Sequence, residues 1–271
     1  EGGAVTLPAR SSTALKKTES RIPTRLDLAG TWIDQPYVSQ YAPGWAITIS
    51  LEPTFEIRER SGLSTSTRDM IRKIWPYQLP NMDSEMLAKL VFCFENDPER
   101  SAGIISGAQD AIGICVPGLS RHWYDNHFWP DRIETCNDEL ILGWLESKLV
   151  LIPMEPRSPG CNVLKGKDIS EKKVRSLADA AERCWDAIIA RDLDAFVRSY
   201  TDSFNAQTAM FPAMIQGSVP KYIEKYRDQV LAYKMPGAGG GGYLACVVEE
   251  AAVFAATHPE AICVTIRRAG F

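Results

Sequence analysis

Three short stretches hold residue types that could act together. The first runs from Arg25 through Asp27 to Asp34, the second is Ser61-Gly62-Leu63-Ser64-Thr65-Ser66-Thr67, and the third is the run Pro236-Gly237-Ala238-Gly239-Gly240-Gly241-Gly242. Glu95 and Asp110 lie between the second and third. Phosphoryl transfer to an alcohol asks for an acid near the attacking hydroxyl, a cation near the phosphates, and acidic or hydroxyl ligands for magnesium. Asp27, Asp34 and Asp110, with Arg25 and Glu95, supply those types. A lone Asp serves equally as a turn former or surface charge, and composition cannot select among 34 acidic residues. A small hydroxyl-rich loop before a helix offers free N–H groups and a favourable dipole to phosphate, yet the same residues serve as simple N-caps. The loop has no G-K-[ST] and is not a Walker A motif. Glycines placed between two well-patterned elements let backbone approach a ligand or another chain segment closely, which a plain linker has no need to do.

These residues need a framework, and composition bounds it. The 271 residues, 45% of them hydrophobic, bury a sizeable core. The net charge of -4 and scattered Lys and Arg exclude a nucleic-acid surface. Seven widely spaced cysteines and three histidines read as reduced thiols of a cytoplasmic protein, without a disulfide framework or a Cys/His metal site. No apolar run spans a membrane and no signal-peptide pattern opens the chain.

Residues 1–22 read as an arm or connector. Alternation at Ile47, Ile49 and Leu51, resuming at Phe55 and Ile57, predicts a hairpin of two half-buried strands. The hydroxyl-rich loop then feeds a helix carrying Met70, Ile71 and Ile74 and ended by Pro76. Asp83 or Ser84 caps a second helix with the stripe Met86, Leu87, Leu90, Val91, Phe94. The apolar stretch Ala111 to Val116, following Asp110, is read as a strand, and Leu149 to Ile152 as a buried one. Asp168-x-x-Glu171 predicts a capping box for a helix through Val174, Leu177, Ala181, Trp185 and Ile188. Asp192 and Ser218 cap two further helices, and strands at Tyr243–Val248 and 262–266 close an α+β chain with a seam near Leu149.

Taken in order, the three stretches resemble the motifs of the GHMP kinases. Arg25-Leu26-Asp27-Leu28-Ala29-Gly30-Thr31-Trp32-Ile33-Asp34-Gln35-Pro36 is similar to the first motif of fucose kinases and bacterial heptose-phosphate kinases. The stretch 60–68 resembles the second, nucleotide-phosphate motif, and 234–245 the third. Ser106-Gly107-Ala108-Gln109-Asp110 resembles the G-x-x-D segment of the family's sugar kinases. The resemblance implies a βαβ-type nucleotide-binding domain at 23–148 and a ferredoxin-like domain at 149–271. It implies Asp110 as catalytic base, with Arg25 beside the transferring phosphoryl group and helping to keep Asp110 ionised. It also implies Ser61, Gly62, Leu63, Ser64, Thr65, Ser66 and Thr67 as the nucleotide loop, Ser66 (or Thr65) with Glu95 as magnesium ligands, and Asp34, Gly239, Gly240 and Gly241 on the substrate side. The expected cofactors are ATP and Mg2+, and the expected substrate is a monosaccharide or sugar phosphate, of heptose-phosphate or fucose type.

The second motif lacks the family's leading proline, has Ser64 where a glycine is common, and follows the first at unusually short spacing. A non-catalytic sugar- or nucleotide-binding protein on this fold, or a kinase for a non-sugar alcohol, stands as the alternative. The aromatic segment His122-Trp123-Tyr124-Asp125-Asn126-His127-Phe128-Trp129 fits a sugar-stacking surface, a partly buried hairpin or a homodimer contact.

Overall fold

The computed structural model describes residues 20–99 and 105–270. Most of the expected arm lies outside them. The first sheet has the order β1-β2-β3-β4, from strands Thr24–Ala29, Gly44–Leu51, Leu119–Tyr124 and Arg132–Cys136, all antiparallel. The short helix α1 (Pro36–Ser39) precedes β2, while α2 (Thr65–Ile74), α3 (Ser84–Glu95) and α4 (Gln109–Cys115) lie between β2 and β3. The β–α–β order is therefore realised with its two strands adjacent and antiparallel.

Period-two alternation in β1 decides what each face of the sheet carries. Leu26 and Leu28 point into a core with Ala181, Cys184, Trp185 and Ile188, while Arg25 and Asp27 point the other way, towards α4. The covering helix on the leucine side is α6 (Glu171–Ala190), which lies so close to β2 that a Cβ on Gly44 would come within 2.8 Å of the Ala178 methyl.

The second half runs α5 (Glu139–Lys148), β5 (Leu149–Pro153), α6, α7 (Leu193–Met210), α8 (Val219–Tyr226), β6 (Ala232–Lys234), β7 (Tyr243–Val247), α9 (Ala251–Thr257) and β8 (Ile262–Cys263). Its sheet has the order β6-β7-β5-β8, antiparallel throughout, which with helices between β5 and β6 and between β7 and β8 is the ferredoxin-like arrangement.

Several local expectations change. The expected hairpin after Leu51 does not form: β2 pairs with β1 and β3, and Pro53 stops the alternation. Phe55 packs edge-on to Tyr243 instead, and the Tyr243 hydroxyl donates to the Glu56 carbonyl at 2.7 Å. The stretch 111–115 is helical, with Val116 as its extended C-cap. It is buried on every side, so no periodicity marks it in the sequence. Asp168 does not cap α6; its carboxylate takes Lys173 at 2.7 Å and the N-cap is Ser170. Asp83 and Asp192 do cap α3 and α7, accepting from the amides of Met86 and Ala195. The aromatic segment forms the β3–β4 hairpin, with Trp123 edge-on to Trp45 and Arg132 over both rings. All seven cysteines are free, and no described helix is long and apolar enough to cross a membrane.

Candidate active site

The site is built where β1 meets α4. A Cβ on Gly113 would lie 2.1 Å from Arg25 Cγ, so only glycine lets the buried Arg25 side chain pass beneath α4. Its guanidinium forks, with Nη1 donating to Asp27 and Nη2 to Asp110 in the first turn of α4. Arg25 is 2% exposed and Asp110 23%, so the pair is anchored inside and opens outward through the aspartate. A carboxylate in a helix first turn also sits in a favourable dipole.

Asp34 and Glu95 converge on the same charge. Asp34 is packed against Gly107, where a Cβ would meet its carboxyl oxygen at 1.9 Å. Burial, and then the neighbouring Asp110, push Asp34 up to about 7, with Arg25 and the Gln109 amide acting against them. Burial and Asp110 likewise push Glu95 up to about 7. Thr67 donates to Glu95 Oε1 at 2.7 Å, while Glu95 Oε2 is buried without a partner among the described residues.

The loop 61–64 enters α2 with Ser64 in the left-handed conformation, φ 56° and ψ 34°. Glycine adopts this region freely and serine only at a cost. The hydroxyls of Ser61 and Ser64 are buried and have no partner among the described residues, Leu63 accepts from Thr24 Oγ1, Thr65 is half-buried, and Ser66 is exposed. The structure thus brings Thr67, rather than Ser66, to Glu95. Thr67 shares the buried face of α2 with Ile71, a helical spacing visible in the sequence once the inner face is known.

Both ends of the glycine loop press on the hydroxyl-rich loop. A Cβ on Gly62 would lie 2.3 Å from the Pro236 carbonyl, and one on Gly242 would lie 2.2 Å from Ser61 Cα. In between, Gly239 packs on Met214, Gly240 on Arg157 and Cys161, and Gly241 on the backbone of Glu155 and Arg157. These three glycines are thus in direct contact with protein.

Asp27, which sequence reasoning placed in the set without a role, is the knot between first and third motifs. It is wholly buried and accepts from Arg25, Thr31, Lys234 and, at 2.7 Å, the Gly237 amide. Burial pushes its carboxyl up, but Lys234 and Arg25 outweigh that and hold it far below the usual range. Lys234 was missed. Its signal is a charged residue standing inside the short buried strand β6. One face of α7 and its C-cap complete the frame, with Ser203 accepting from the Gly30 amide at 3.1 Å, Gln207 donating to the Gly237 carbonyl at 3.2 Å, and the C-cap Phe211 stacked on Trp32.

No family model and no curated protein matches the sequence. Solved structures do match. The mevalonate kinase of Methanococcus jannaschii superposes with a TM-score of 0.60 at 13% identity, covering 92% of this chain and 98% of that one. The galactokinase of Lactococcus lactis, solved with galactose, gives 0.56 at 15%, covering 92% of each chain. A D-glycero-D-manno-heptose 1-phosphate kinase from Bacteriodes thetaiotaomicron gives 0.57 at 13%, covering 92% and 95%. This chain has the GHMP kinase fold. Within that fold, the three motif-like stretches form one continuous wall, from the Asp27 knot through the hydroxyl-rich loop to the glycine loop, with Asp110, Asp34 and Glu95 facing one another across Arg25.

Among the described residues no group of three or more His, Cys, Asp or Glu is arranged to hold a metal ion alone. A divalent ion shared between protein and phosphate oxygens needs fewer protein ligands. The unpartnered Glu95 Oε2 beside Thr67 fits such an ion.

Proposed function

We propose that the chain is an ATP- and magnesium-dependent kinase that phosphorylates a hydroxyl of a monosaccharide or sugar phosphate. The observation that carries this reading is the buried Arg25 fork, which fixes Asp110 at the start of α4, close enough to act on Glu95, whose carboxylate accepts from Thr67 of α2. In this reading an Asp110 oxygen accepts the proton of the substrate hydroxyl as the hydroxyl oxygen forms its bond to the γ-phosphorus and the bond from that phosphorus to the leaving ADP breaks. Arg25 places its charge next to the transferring group. Nothing covalent on the enzyme is required, because positioning and charge neutralisation carry phosphoryl transfer.

Residues 61–67 would cradle the phosphates at the α2 N-terminus. The left-handed Ser64 supports this role, because the chain retains a glycine-like backbone there at a cost in strain. A groove lined by Phe55, Ile57, Arg68, Arg72 and Tyr77 adjoins α2 and offers apolar and cationic surface to the rest of the nucleotide. Glu95 and Thr67 would hold magnesium, which when bound would supply charge neutralisation for the transferring phosphate. Asp34, near the midpoint of its titration at neutral pH, can accept from or donate to a substrate hydroxyl. The fold-mates that act on galactose or a heptose phosphate by name support the sugar class.

The deciding experiment is phosphate transfer from MgATP to a panel of hexoses, heptoses, fucose and their phosphates. Asp110→Asn should fold normally and lose a factor of about 10^2 to 10^4 in kcat, the range of a general base. Absence of transfer to every acceptor by the native protein would overturn the reading.

A further inference from the structure

Arg157 lies on the segment after β5 and is the half-buried arginine against which Gly240 and Gly241 pack. A Cβ on Gly240 would lie 3.1 Å from Arg157 Cδ, and one on Gly241 would lie 2.8 Å from the Arg157 amide nitrogen, so these glycines fix its position. Arg60, the residue before the hydroxyl-rich loop, clasps the same segment, with Nε donating to the Arg157 carbonyl at 2.9 Å and Nη2 to the Ser158 carbonyl at 2.8 Å.

Among the described residues, no carboxylate acts on the Arg157 side chain. Its Nε is buried without a partner among the described residues, and the titratable neighbours that act on it are the Cys161 thiol and the Arg60 cation. The nearby Glu155 carboxylate is engaged with Ser218 and Tyr222. A partly desolvated guanidinium next to like charge is unfavourable unless an anion neutralises it. A carboxylate would offset one charge. A phosphate monoester or polyphosphate offsets two or more, and its oxygens match the arginine fork.

We propose that Arg157, backed by Arg60 and held by Gly240 and Gly241, is a binding residue for a phosphate group, on the acceptor or the nucleotide. The inference rests on the kinase reading above, in which the site handles phosphates. It adds a second phosphate contact, separate from Arg25 and the α2 N-terminus.

The test is calorimetric and needs no turnover. Native protein, Arg157→Gln and Arg157→Lys are titrated in one arm with hexoses and heptoses against their 1-phosphates and 7- or 6-phosphates, and in the other with adenosine against ADP and ATP. Arg157→Gln should weaken the phosphorylated member of one arm at least tenfold, leave its unphosphorylated counterpart unchanged, and be partly rescued by Lys. Loss in the sugar arm assigns the acceptor phosphate, and loss in the nucleotide arm assigns the ATP phosphates. Unchanged affinities in both arms, or native protein that binds no phosphorylated member, overturn the proposal. Melting curves confirm folding, and should Arg157→Gln not fold, Arg60→Gln in the same titrations decides. Phosphate-dependent binding by a protein that transfers nothing would sink the kinase reading while leaving this site standing.

Discussion

At the scale of single residues, Asp34 and Glu95 tie pH to stability. Their usual values, 3.8 and 4.5, rise to about 7 in the folded chain. Between about pH 4 and 7 the native state therefore holds protons that the unfolded state has released. Stability is greatest at the acid end of that window and falls as pH rises through 7. Each group contributes on the order of 2 kcal/mol, after allowing for its coupling to Asp110. Asp34→Asn should raise Tm at pH 8 and flatten its dependence between pH 5 and 8, while weakening substrate turnover. Magnesium held by Glu95 would favour its ionised form, so millimolar magnesium should flatten part of the same slope in native protein and none of it in Glu95→Gln. A magnesium-independent slope in native protein would remove Glu95 from the metal site. Asp27 behaves oppositely. Its low carboxyl contributes stability above about pH 4 that is lost on acidification, and Asp27→Ala, which strands Lys234 and half of Arg25, should cost about 3 to 5 kcal/mol in urea unfolding.

At the scale of elements, the hydroxyl-rich and glycine loops form one backbone-to-backbone seam, and two substitutions probe it in opposite directions. Gly62 has φ 78° and no room for a Cβ beside the Pro236 carbonyl, so Gly62→Ala should destabilise by about 3 kcal/mol and part the two loops. Ser64→Gly relieves left-handed strain and should raise stability by up to about 1 kcal/mol while retaining nucleotide affinity. A loss of stability would show that the Ser64 side chain has a packing role. How much of this was legible differs by element. Helices with one exposed face, such as α2, α3 and α6, announce themselves by spacing and caps. The strand at β1 was visible as a motif rather than as a strand, and α4, buried all round, gave no period. Of the site, Arg25, Asp110, Asp34 and Glu95 could be named from residue type, order and resemblance. The Lys234–Asp27 pair joins residues 207 apart in the sequence, and Thr67 in place of Ser66 depends on which way α2 is turned, so both needed the fold.

At the scale of the whole molecule, the sequence change near Leu149 marks the start of the second sheet but does not separate two cores. One cluster joins Ile33, Ala111 and Tyr124 with Val150, Phe204 and Leu244, and the other joins Leu26 and Ile47 with Leu151, Trp185 and Val247. The helix α6, from the second half, supplies one covering layer of the first sheet, and the bridge between Leu51 and Ile266 carries the chain back to β2. Cutting at 148/149 would expose the leucine face of β1 and β2 on one fragment and the apolar stripe of α6 on the other. Exposed apolar area on that scale removes more than the net stability of either fragment, which for a domain is only about 5 to 15 kcal/mol. The two fragments expressed separately should therefore lack cooperative melting by circular dichroism, and the intact chain should unfold in one transition. The same packing predicts that Gly44→Val, which drives a branched side chain into Ala178, lowers the Tm of that single transition and weakens nucleotide and substrate binding together. Two resolved transitions, with only one shifted by Gly44→Val, would mean that the halves are independent and that the site lies on a hinge rather than within one continuous core.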